Sequence, residues 1–518
     1  MASRPARLGK FLMSVFSDLL NGVLAIDREA DVIDYQGKWY KWGELGDTIE
    51  AIRAQLAKLE LGEGTRVGVM VRNRPSPFAA VLTAVAADAC MVSINPLYPD
   101  ERLVKDIESL NLPVVIGETA DLERSGVLDA CKATGTAVIE LPGILQGASL
   151  RAGFETIGPN VEREQPGVII EMLTSGTTGV PKRIPLKRNA FEKSFAGALS
   201  YEKDRTEGEA AKLRPGTTIL SNPMTHIGGL WGALSCIAGG RKACLMEKFS
   251  VESWRDAIVR HKPKVAGAVP AGLRMILDAN IPKEDLASLV ALRTGAAPLD
   301  HSVTSEFMER YGLPVLQNYG ATEFSGAVAG WGLKEFHTFW KEKLGSVGRF
   351  QPGVTGRVVN AESGEDMPHG EEGVLEMKAA QFANGGEWLR TTDRAIIDAD
   401  GFLFIKGRAD LAIIRGGFKV HPDDVNKIYE DHPAIREAVT VGMPDRRLGA
   451  VPMTVLILKT GATTPTEAEL TAYGREHLMP YQVPVRFLIV DDVPRTPSMK
   501  PALPAVRELF ATDAADAA

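Results

Sequence analysis

The chain has 518 residues, of which 45% are hydrophobic, and it carries a formal net charge of -7 at pH 7. This length is enough for large buried cores and predicts more than one domain. The acidic balance argues against a nucleic-acid partner, because phosphate backbones are bound by clustered positive charge. The four cysteines show no Cys-x-x-Cys spacing, so we expect neither a disulfide framework nor a zinc site, and we expect a cytoplasmic location.

The first apolar stretch is FLMSVFSDLLNGVLAI, residues 11–26. Asp18 and Asn21 interrupt it and no Ala-x-Ala-like cleavage site follows, so the stretch predicts a helix, with a signal peptide as the alternative. No uninterrupted apolar run reaches the roughly 20 residues that a membrane-spanning helix needs. The sequence therefore predicts no integral membrane segment.

Strand-like apolar runs alternate with helical patterns up to about residue 340; TRVGVMV and DTIEAIRAQLAKLEL are examples. This alternation predicts an α/β fold with layered α/β subdomains. Short strands separated by glycines follow, such as GVTGRVV and DGFLFI, and they indicate a small β subdomain. From about residue 411, HPDDVNKIYEDH and TEAELTAYGREHL predict helices on either side of a hairpin, which indicates a smaller α+β domain at the C-terminus.

The stretch LTSGTTGVPKRIPL, residues 173–186, combines small and hydroxylated residues directly after an apolar run. Backbone N–H groups and hydroxyls in such a loop can face phosphate oxygens, and Lys182 adds a positive charge. The stretch is not a Walker loop, because Pro181 stands where that motif has glycine and Arg183 where it has Ser or Thr. A polar hairpin loop is the simpler alternative. RIPL predicts a strand after the loop.

Four further stretches follow in order: NYGATE at 318–323, GSVGRFQPG at 345–353, TTDRAIIDADGFLFIKGRAD at 391–410 and RTPSMK at 495–500. Together with the loop they resemble the motifs of the adenylate-forming superfamily of acyl-CoA synthetases, luciferases and peptide-synthetase adenylation domains. The resemblance runs from about residue 30 to about residue 510 and is greatest to acyl- or aryl-CoA ligases. Five motifs in the same order are far more specific than any one of them.

The resemblance implies a set of ATP- and AMP-binding residues: Thr174, Ser175, Gly176, Thr177, Thr178, Gly179, Lys182, Gly295, Ala296, Ala297, Tyr319, Asp393 and Arg408. Tyr319 offers a flat face to adenine, and Asp393 with Arg408 suits ribose hydroxyls. The simpler alternatives are a core aromatic side chain and an Asp–Arg ion pair on a turn.

The implied catalytic residues are Lys500, His226, Thr322 and Glu323, with Glu323 as the Mg²⁺ ligand. A lone histidine is more often an ordinary core residue, and only its place between the motifs favours a role near the reacting carboxylate. Met499, Thr392 and Arg183 each stand where the family usually has glycine. None of these departures removes a charged group that the chemistry needs.

The implied acyl pocket comprises His226, Gly228, Trp231, Gly320 and Ala321. Acetate-type members carry Trp where this chain has Gly320, so we expect an open pocket for a medium-chain, alicyclic or aromatic acid. The alternative is that these glycines only relieve backbone crowding. The segment SNPMTHIGGLWG has no acid, which disfavours an amino-acid substrate, and the lack of Lys or Arg disfavours a second carboxylate on the substrate.

The resemblance implies an ATP-dependent carboxylic acid–CoA ligase that uses ATP, Mg²⁺ and coenzyme A and passes through an acyl adenylate. An N-terminal domain over 1–409 would bind ATP and the acid, and a mobile domain over 410–518 would carry Lys500 and rotate about Asp410. Gly416, Gly417, Phe418 and Lys419 would contact coenzyme A. Two alternatives remain open: an enzyme that loads a carrier-protein thiol or makes another acyl product, and a nucleotide-binding relative without chemistry. We expect a monomer or a homodimer.

Overall fold

The computed structural model describes residues 15–174, 182–200, 210–382, 386–496 and 499–516. The α-helices, numbered in chain order, are α1 (Val15–Leu24), α2 (Trp42–Lys58), α3 (Pro75–Ala86), α4 (Asp100–Leu110), α5 (Thr119–Leu122), α6 (Val127–Thr134), α7 (Arg188–Ser200), α8 (Ile227–Ala238), α9 (Val251–His261), α10 (Pro270–Asp278), α11 (His301–Tyr311), α12 (Leu333–Phe339), α13 (Pro422–Glu430), α14 (Glu467–His477) and α15 (Leu503–Asp516). Short 3₁₀ helices span Lys283–Leu286, Thr322–Phe324 and Ala409–Leu411.

The strands are β1 (Asp31–Tyr35), β2 (Lys38–Lys41), β3 (Arg66–Met70), β4 (Cys90–Ile94), β5 (Val114–Glu118), β6 (Ala137–Leu141), β7 (Ser149–Leu150), β8 (Val168–Thr174), β9 (Lys182–Lys187), β10 (Thr217–Leu220), β11 (Lys242–Leu245), β12 (Val265–Gly267), β13 (Ala291–Thr294), β14 (Val315–Ala321), β15 (Gly326–Gly330), β16 (Arg349–Phe350), β17 (Val354–Val359), β18 (Glu372–Ala379), β19 (Leu389–Ile397), β20 (Leu403–Arg408), β21 (Ile413–Arg415), β22 (Phe418–Val420), β23 (Ile435–Asp445), β24 (Gly449–Leu458) and β25 (Phe487–Ile489). The chain divides into two compact units. The first runs to Leu173 and continues from Arg183 to Lys248, and the second holds Lys182 and everything from Phe249 onward.

The first unit contains two sheets. Seven strands follow the order β7-β6-β5-β3-β4-β8-β9, and four follow the order β10-β11-β1-β2. Every residue of β3, β4 and β5 is buried, which explains why these strands are almost continuous apolar runs, as expected of a parallel sheet covered on both faces. Helix α3 is buried along its whole length and begins with Pro75 at its first position, where the missing N–H costs nothing.

The second unit contains three sheets, with the orders β12-β13-β14-β15-β16, β17-β18-β19-β20 and β22-β21-β24-β23, and β25 pairs with β24 in the last. This last sheet shows why the chain alternates there. Ala438 and Leu456 pack in one core with Val425 of α13, whereas Val439 and Val455 pack in another with α15. Neighbouring residues of a strand point to opposite faces, so each face receives its own helix.

The predicted fold class is confirmed: layered α/β sheets, an antiparallel β subdomain of β17 to β20, and an α+β region built on β21 to β25. The predicted hairpin became β23 and β24, and its two flanking helices became α13 and α14. The N-terminal apolar stretch forms α1 where it is described, and RIPL lies in β9. None of the described helices has the length and apolar character needed to cross a membrane. The domain boundary at 409/410 stays a prediction.

Candidate active site

Three of the predicted nucleotide-binding residues meet in the second unit, where β19 and β20 form an antiparallel pair. Asp393 of β19 lies directly opposite Arg408 of β20 in the register of the two strands. The hydroxyl of Tyr319, near the end of β14, donates a hydrogen bond to the Asp393 carboxylate. The backbone N–H of Asp393 donates to Oγ1 of Thr391 at 3.0 Å. The carboxylate is therefore held by the Tyr319 hydroxyl, while the backbone N–H of Asp393 holds the Thr391 side chain.

The guanidinium of Arg408 is held from two sides. Its Nε and Nη2 donate to the two carboxylate oxygens of Asp410 at 2.9 and 2.6 Å. Its Nη2 also donates to Oγ1 of Thr392 at 2.8 Å. The departure of Thr392 from the family pattern thus has a structural role, since a glycine could not orient this arginine. Asp410, the predicted hinge, lies in the 3₁₀ turn that follows β20.

Lys500 joins the same cluster from the C-terminal segment. Burial lowers the pKa of its amine, the positive charge of Arg408 lowers it further, and the negative charges of Asp393 and Glu323 oppose the shift. Within the described part of the chain, no ion pair of Lys500 is found. A cation withdrawn from water beside an arginine costs free energy unless an anion approaches it.

Thr496 and Met499 make backbone hydrogen bonds next to Lys500. The N–H of Thr496 donates to the Lys500 carbonyl, and the N–H of Met499 donates to the Thr496 carbonyl, both at 2.8 Å. Met499 has φ = +63°, in the left-handed region where a side chain is unfavourable. The family's glycine at this position would carry no such penalty, and the departure of Met499 is therefore a local cost in backbone strain.

Burial raises the pKa of the Asp393 carboxyl, while the Tyr319 hydroxyl and the charges of Arg408 and Lys500 act in the opposite direction. Burial and the neighbouring charge of Asp393 raise the pKa of Tyr319. The hydroxyl therefore stays protonated and remains a hydrogen-bond donor. Tyr319 also packs its ring near Phe324, at 6.0 Å between centroids.

Two acidic residues that the sequence analysis missed adjoin this cluster. The N–H of Arg408 donates to Oδ2 of Asp423 at 3.3 Å, and burial raises the pKa of Asp423. A Cβ at Gly407 would lie 2.2 Å from the same oxygen. Asp424 pairs with Arg394 at 3.2 Å. Acids in the first turn of a helix are usually explained by the helix dipole, so the sequence offered no separate signal for them.

The turn after β13 carries Gly295, Ala296 and Ala297. A Cβ at Gly295 would lie 2.2 Å from Oδ1 of Asn318, so the glycine is required by the side chain of the residue that precedes Tyr319. Ala296 has φ = +70° and is exposed. The turn therefore presents backbone and small side chains to solvent, which suits the close approach of a flat ligand.

The expectation of an open volume at Gly320 is wrong. A Cβ at this residue would lie 2.2 Å from the carbonyl oxygen of Gly326 and 2.6 Å from Cα of Ala327 on the neighbouring strand β15. The alternative, that the glycine relieves backbone crowding, is what the geometry supports. Ala321 ends β14, and Thr322 with Glu323 forms the 3₁₀ turn after it, where Glu323 is exposed.

His226 precedes α8 in the first unit as its N-cap residue. Gly228 is exposed with open space around its missing Cβ, whereas a Cβ at Gly229 would lie 2.2 Å from the Pro223 carbonyl oxygen. Trp231 packs edge-on against Phe191 at 5.1 Å and belongs to the rim of a buried aromatic cluster. The loop before His226 therefore packs tightly against the start of α8 at Gly229, whereas α8 is open to solvent at Gly228.

Asn73 holds this loop and was not recognised from the sequence. Its Nδ2 donates to the carbonyl oxygens of Asn222 and Met246 at 2.9 and 3.1 Å, and its Oδ1 accepts from the N–H of Met224 at 2.8 Å. Three backbone groups from two loops are thus satisfied by one buried amide. The sequence places an isolated asparagine after a strand, but it does not indicate which backbone groups the side chain binds.

The predicted phosphate loop is bounded by two strands. Thr174 is the last residue of β8 and Lys182 is the first of β9, where it is exposed. Ser175, Gly176, Thr177, Thr178 and Gly179 lie outside the described residues.

The residues predicted to contact coenzyme A form a tight hairpin between β21 and β22. Gly416 and Gly417 have φ = +58° and +89°, as a two-residue turn of the primed type requires. Phe418 is 58% exposed and stacks on Tyr481 with 4.7 Å between ring centroids. Lys419 is also exposed. The hairpin thus presents glycine backbone, an aromatic face and a positive charge to solvent.

Two family models match the chain: AMP-binding enzyme over residues 25–385, and AMP-binding enzyme C-terminal domain over residues 424–500. The chain belongs to the AMP-binding enzyme family. The resemblance drawn from the five motifs is therefore confirmed. The first match alone covers more than half of this AMP-binding enzyme and contains Tyr319, Glu323 and the loop from 174 to 182.

This AMP-binding enzyme is 31% identical to a 2-succinylbenzoate–CoA ligase from Bacillus subtilis (strain 168) over 487 residues, which cover 90% of the chain and 92% of that relative. It is 26% identical to 4-coumarate–CoA ligase 3 from Oryza sativa subsp. japonica over 493 residues, covering 90% and 87%. The crystal structure of ATP-bound MatB from Rhodopseudomonas palustris has the same fold, with a TM-score of 0.78 at 22% identity, covering 95% of this chain and 99% of that one.

Proposed function

We propose that this AMP-binding enzyme is an ATP-dependent carboxylic acid–CoA ligase that works through an acyl adenylate. Its family and the names of its relatives support the class of AMP-forming acid–thiol ligase. The single observation that carries the proposal is the cluster of Lys500, Asp393 and Arg408, in which a partly buried amine lies near the residues suited to a nucleotide ribose.

In the first half-reaction a carboxylate oxygen of the acid attacks the α-phosphorus of ATP, and the bond to pyrophosphate breaks. Lys500 stabilises the negative charge that grows on the transferring oxygens. Asp393, held by Tyr319, accepts hydrogen bonds from ribose hydroxyls, and Tyr319 offers its ring to adenine. His226 and Thr322 orient the reacting groups. The protein contributes position and charge, and it supplies no covalent nucleophile.

The residues also fit a nucleotide-bound Mg²⁺. Glu323 is exposed at the end of a strand and offers the hard oxygen ligand that Mg²⁺ prefers. Mg²⁺ bound with the nucleotide would neutralise part of the phosphate charge. The negative charge of Glu323 acts on the pKa of the Lys500 amine. We propose that these two residues supply one anionic and one cationic group to the same ligand.

In the second half-reaction the thiol of coenzyme A attacks the adenylate carbonyl, and AMP leaves. We propose that the region from 410 to 518 rotates about Asp410 for this step, so that the hairpin of Gly416 and Gly417 replaces Lys500. Hinges need only a few residues that change their backbone angles. The exposed backbone of the two glycines permits a thin pantetheine arm to pass close by.

We propose a monocarboxylic aromatic, alicyclic or medium-chain acid as the substrate. The absence of Lys and Arg from the segments around His226 and Tyr319 argues against a second carboxylate. The names of the relatives span both kinds, because 4-coumarate carries one carboxylate and 2-succinylbenzoate carries two. A cytoplasmic location, and a monomeric or dimeric state, stay predictions from the sequence.

The test is pyrophosphate release with ATP and Mg²⁺ across aliphatic, alicyclic and aromatic acids, each with and without coenzyme A, with chromatographic detection of the thioester. We expect release with a monocarboxylic ring or medium-chain acid and a coenzyme A thioester as product. An adenylate that forms but transfers only to a carrier-protein thiol would support the alternative enzyme. ATP binding without pyrophosphate release for every acid would reject both.

A further inference from the structure

Arg183 is the second residue of β9, directly after Lys182, at a position where the family pattern has glycine. Its Nη2 donates to both carboxylate oxygens of Asp106, at 2.9 and 2.7 Å. Its Nη1 donates to the carbonyl oxygen of Ser93 at 3.0 Å. One side chain thus joins β9 to α4 and to β4 through three hydrogen bonds.

These groups are largely withdrawn from water. The Arg183 side chain is 17% exposed and the Asp106 side chain is 14% exposed. The Nε of Arg183 also lies 3.9 Å from Glu171 of β8, and Glu171 in turn pairs with Arg66 at 3.4 Å. The strand that enters the predicted phosphate loop and the strand that leaves it therefore carry members of one buried charge network.

The contacts of Arg183 also restrict Lys182, the residue before it in β9. Side chains alternate between the two faces of a strand, so Arg183 on the inner side leaves Lys182 on the exposed side, as observed. A guanidinium that donates to a carboxylate through Nη2 and to a backbone carbonyl through Nη1 is held more strictly in position and orientation than a side chain held by packing alone. With Arg183 fixed at three points, the backbone of Lys182 has little freedom to shift.

We infer that Arg183 is a positioning residue for ATP: clamped by Asp106 and Ser93, it sets the place from which Lys182 meets the nucleotide phosphates. This inference rests on the proposed function, in which Lys182 contacts ATP. Arg183 itself touches no reacting atom, because its guanidinium is used up by protein partners. Its effect should therefore appear in the affinity for ATP and not in that for the acid.

The experiment compares Arg183→Ala with a matched control at the other end of the same strand. Arg188 directly follows β9, is 25% exposed, and donates to Glu63 at 3.0 Å and to the Asp88 carbonyl oxygen at 2.6 Å. KM values for ATP and for the acid are measured separately by ATP–pyrophosphate exchange, together with the thermal midpoint of each variant. Small misplacements at a reaction site typically cost up to about a hundredfold.

We expect Arg183→Ala to raise the KM for ATP by about tenfold or more while the KM for the acid stays within about twofold. Arg188→Ala should lower the thermal midpoint without changing either KM. Asp106→Asn, which keeps the shape but weakens the clamp, should repeat the selective effect on ATP, and it carries the test if Arg183→Ala does not fold. Arg183→Lys should restore only part of the ATP affinity, because a single ammonium nitrogen cannot replace the two guanidinium nitrogens that bind Asp106 and Ser93.

Equal KM values for ATP in the Arg183 and Arg188 variants would overturn the inference and leave the proposed function intact. The same holds if Arg183→Ala raises the two KM values together. If the wild-type chain shows no exchange with any acid, the proposed function fails. Calorimetric binding of ATP with Mg²⁺ to the wild type, Arg183→Ala and Arg188→Ala then decides the inference on its own, with selective weakening in Arg183→Ala as the supporting result.

Discussion

Each of the two units contains a cluster of charged side chains, largely buried in the first unit and partly buried in the second, and the clusters are built differently. In the first unit, Arg66 pairs with Glu171, and Arg183 pairs with Asp106 and lies within 4.0 Å of Glu171. Each arginine also donates a hydrogen bond to a backbone carbonyl oxygen. Each guanidinium there has its counter-charge among the residues of the protein. Such a network holds strands and a helix together by position.

In the second unit, Asp393 and Arg408 have partners, but Lys500 forms no ion pair with any residue in the described part of the chain. Its pKa is lowered by burial and by Arg408. A cation left in this state costs stability unless an anion arrives. The difference is that the first cluster is satisfied within the protein, whereas the second leaves a partly buried amine without an ion pair among the described residues.

The largest effect should come from breaking the paired cluster. Arg66→Met leaves Glu171, whose side chain is 10% exposed, with a weaker counter-charge, and losing one partner of a buried pair typically costs about 3–5 kcal/mol. Denaturant unfolding should show this loss. Arg28→Met is the matched control, since its pair with Asp47 is exposed to solvent, which screens it. Equal losses in the two variants would remove the distinction between the networks.

Next in size is the loss of the amine in the second cluster. Lys500→Ala should slow adenylation by about 10²–10³, because its charge acts mainly in that transition state. Conversion of a supplied acyl adenylate to the thioester should stay nearly normal. Lys459→Ala, at an exposed position, serves as the control and should change neither step. Parallel losses in both half-reactions of Lys500→Ala would contradict the proposed rotation.

A third variant tests whether the backbone at Asp410 must change its conformation for thioester formation. Asp410 lies in a 3₁₀ turn, whose backbone angles suit proline. Asp410→Pro should therefore favour the present orientation, keep adenylation and slow thioester formation by about tenfold, equivalent to about 1.4 kcal/mol. Asp410→Ala also removes the pair with Arg408 but leaves the backbone free. If both variants slow the same step equally, the ion pair matters and the hinge is elsewhere.

Glu430 is an acid between these two cases, because its carboxylate lies 3.7 Å from the Arg274 guanidinium, a long distance for an ion pair. Burial raises its pKa to about 7, so the folded chain holds the proton more tightly than the unfolded chain. Stability from this group is present below its unfolded value near 4.5 and is lost as pH rises through 7. Glu430→Gln should therefore gain stability on the wild type as pH rises from 5 to 8, by up to about 1.4 kcal/mol for each pH unit below the folded-state pKa.

The matched variant for this pH series is Glu476→Gln, because Glu476 is exposed. Its stability difference from the wild type should stay constant across the same range. A constant difference for Glu430→Gln as well would show that the Glu430 carboxyl does not titrate in this range.

The smallest effect concerns the turn that presents Lys500. Met499→Gly removes a side chain from φ = +63°, which relieves about 1 kcal/mol of strain and adds chain entropy to the unfolded state. We expect a net change below about 1 kcal/mol and normal adenylation. A large loss of adenylation would mean that the Met499 side chain itself supports Lys500.

Part of the site was open to prediction because its residues are close in the chain or belong to ordered motifs. Asp393 and Arg408 flank a short turn at Gly401, so a hairpin that brings them together follows from the pattern. The contacts of Asp423, Asn318 and Asn73 did not follow, because each joins two different elements whose packing no motif predicts. The prediction for Gly320 was wrong because a glycine adds volume to a pocket only if the missing Cβ would point into that pocket. At Gly320 it would point at the backbone of β15.

By itself, the sequence determined the alternation of strands and helices, the two glycines of the β21–β22 hairpin and the family to which the motifs point. These properties depend on local spacing, backbone freedom and the order of residues along the chain. Only the tertiary structure decided that Gly320 faces the backbone of β15, that Arg183 binds Asp106, and that the partly buried Lys500 lies near Arg408. The direction of a side chain and its distance from water depend on which distant segments pack around it, and residue spacing does not contain that information.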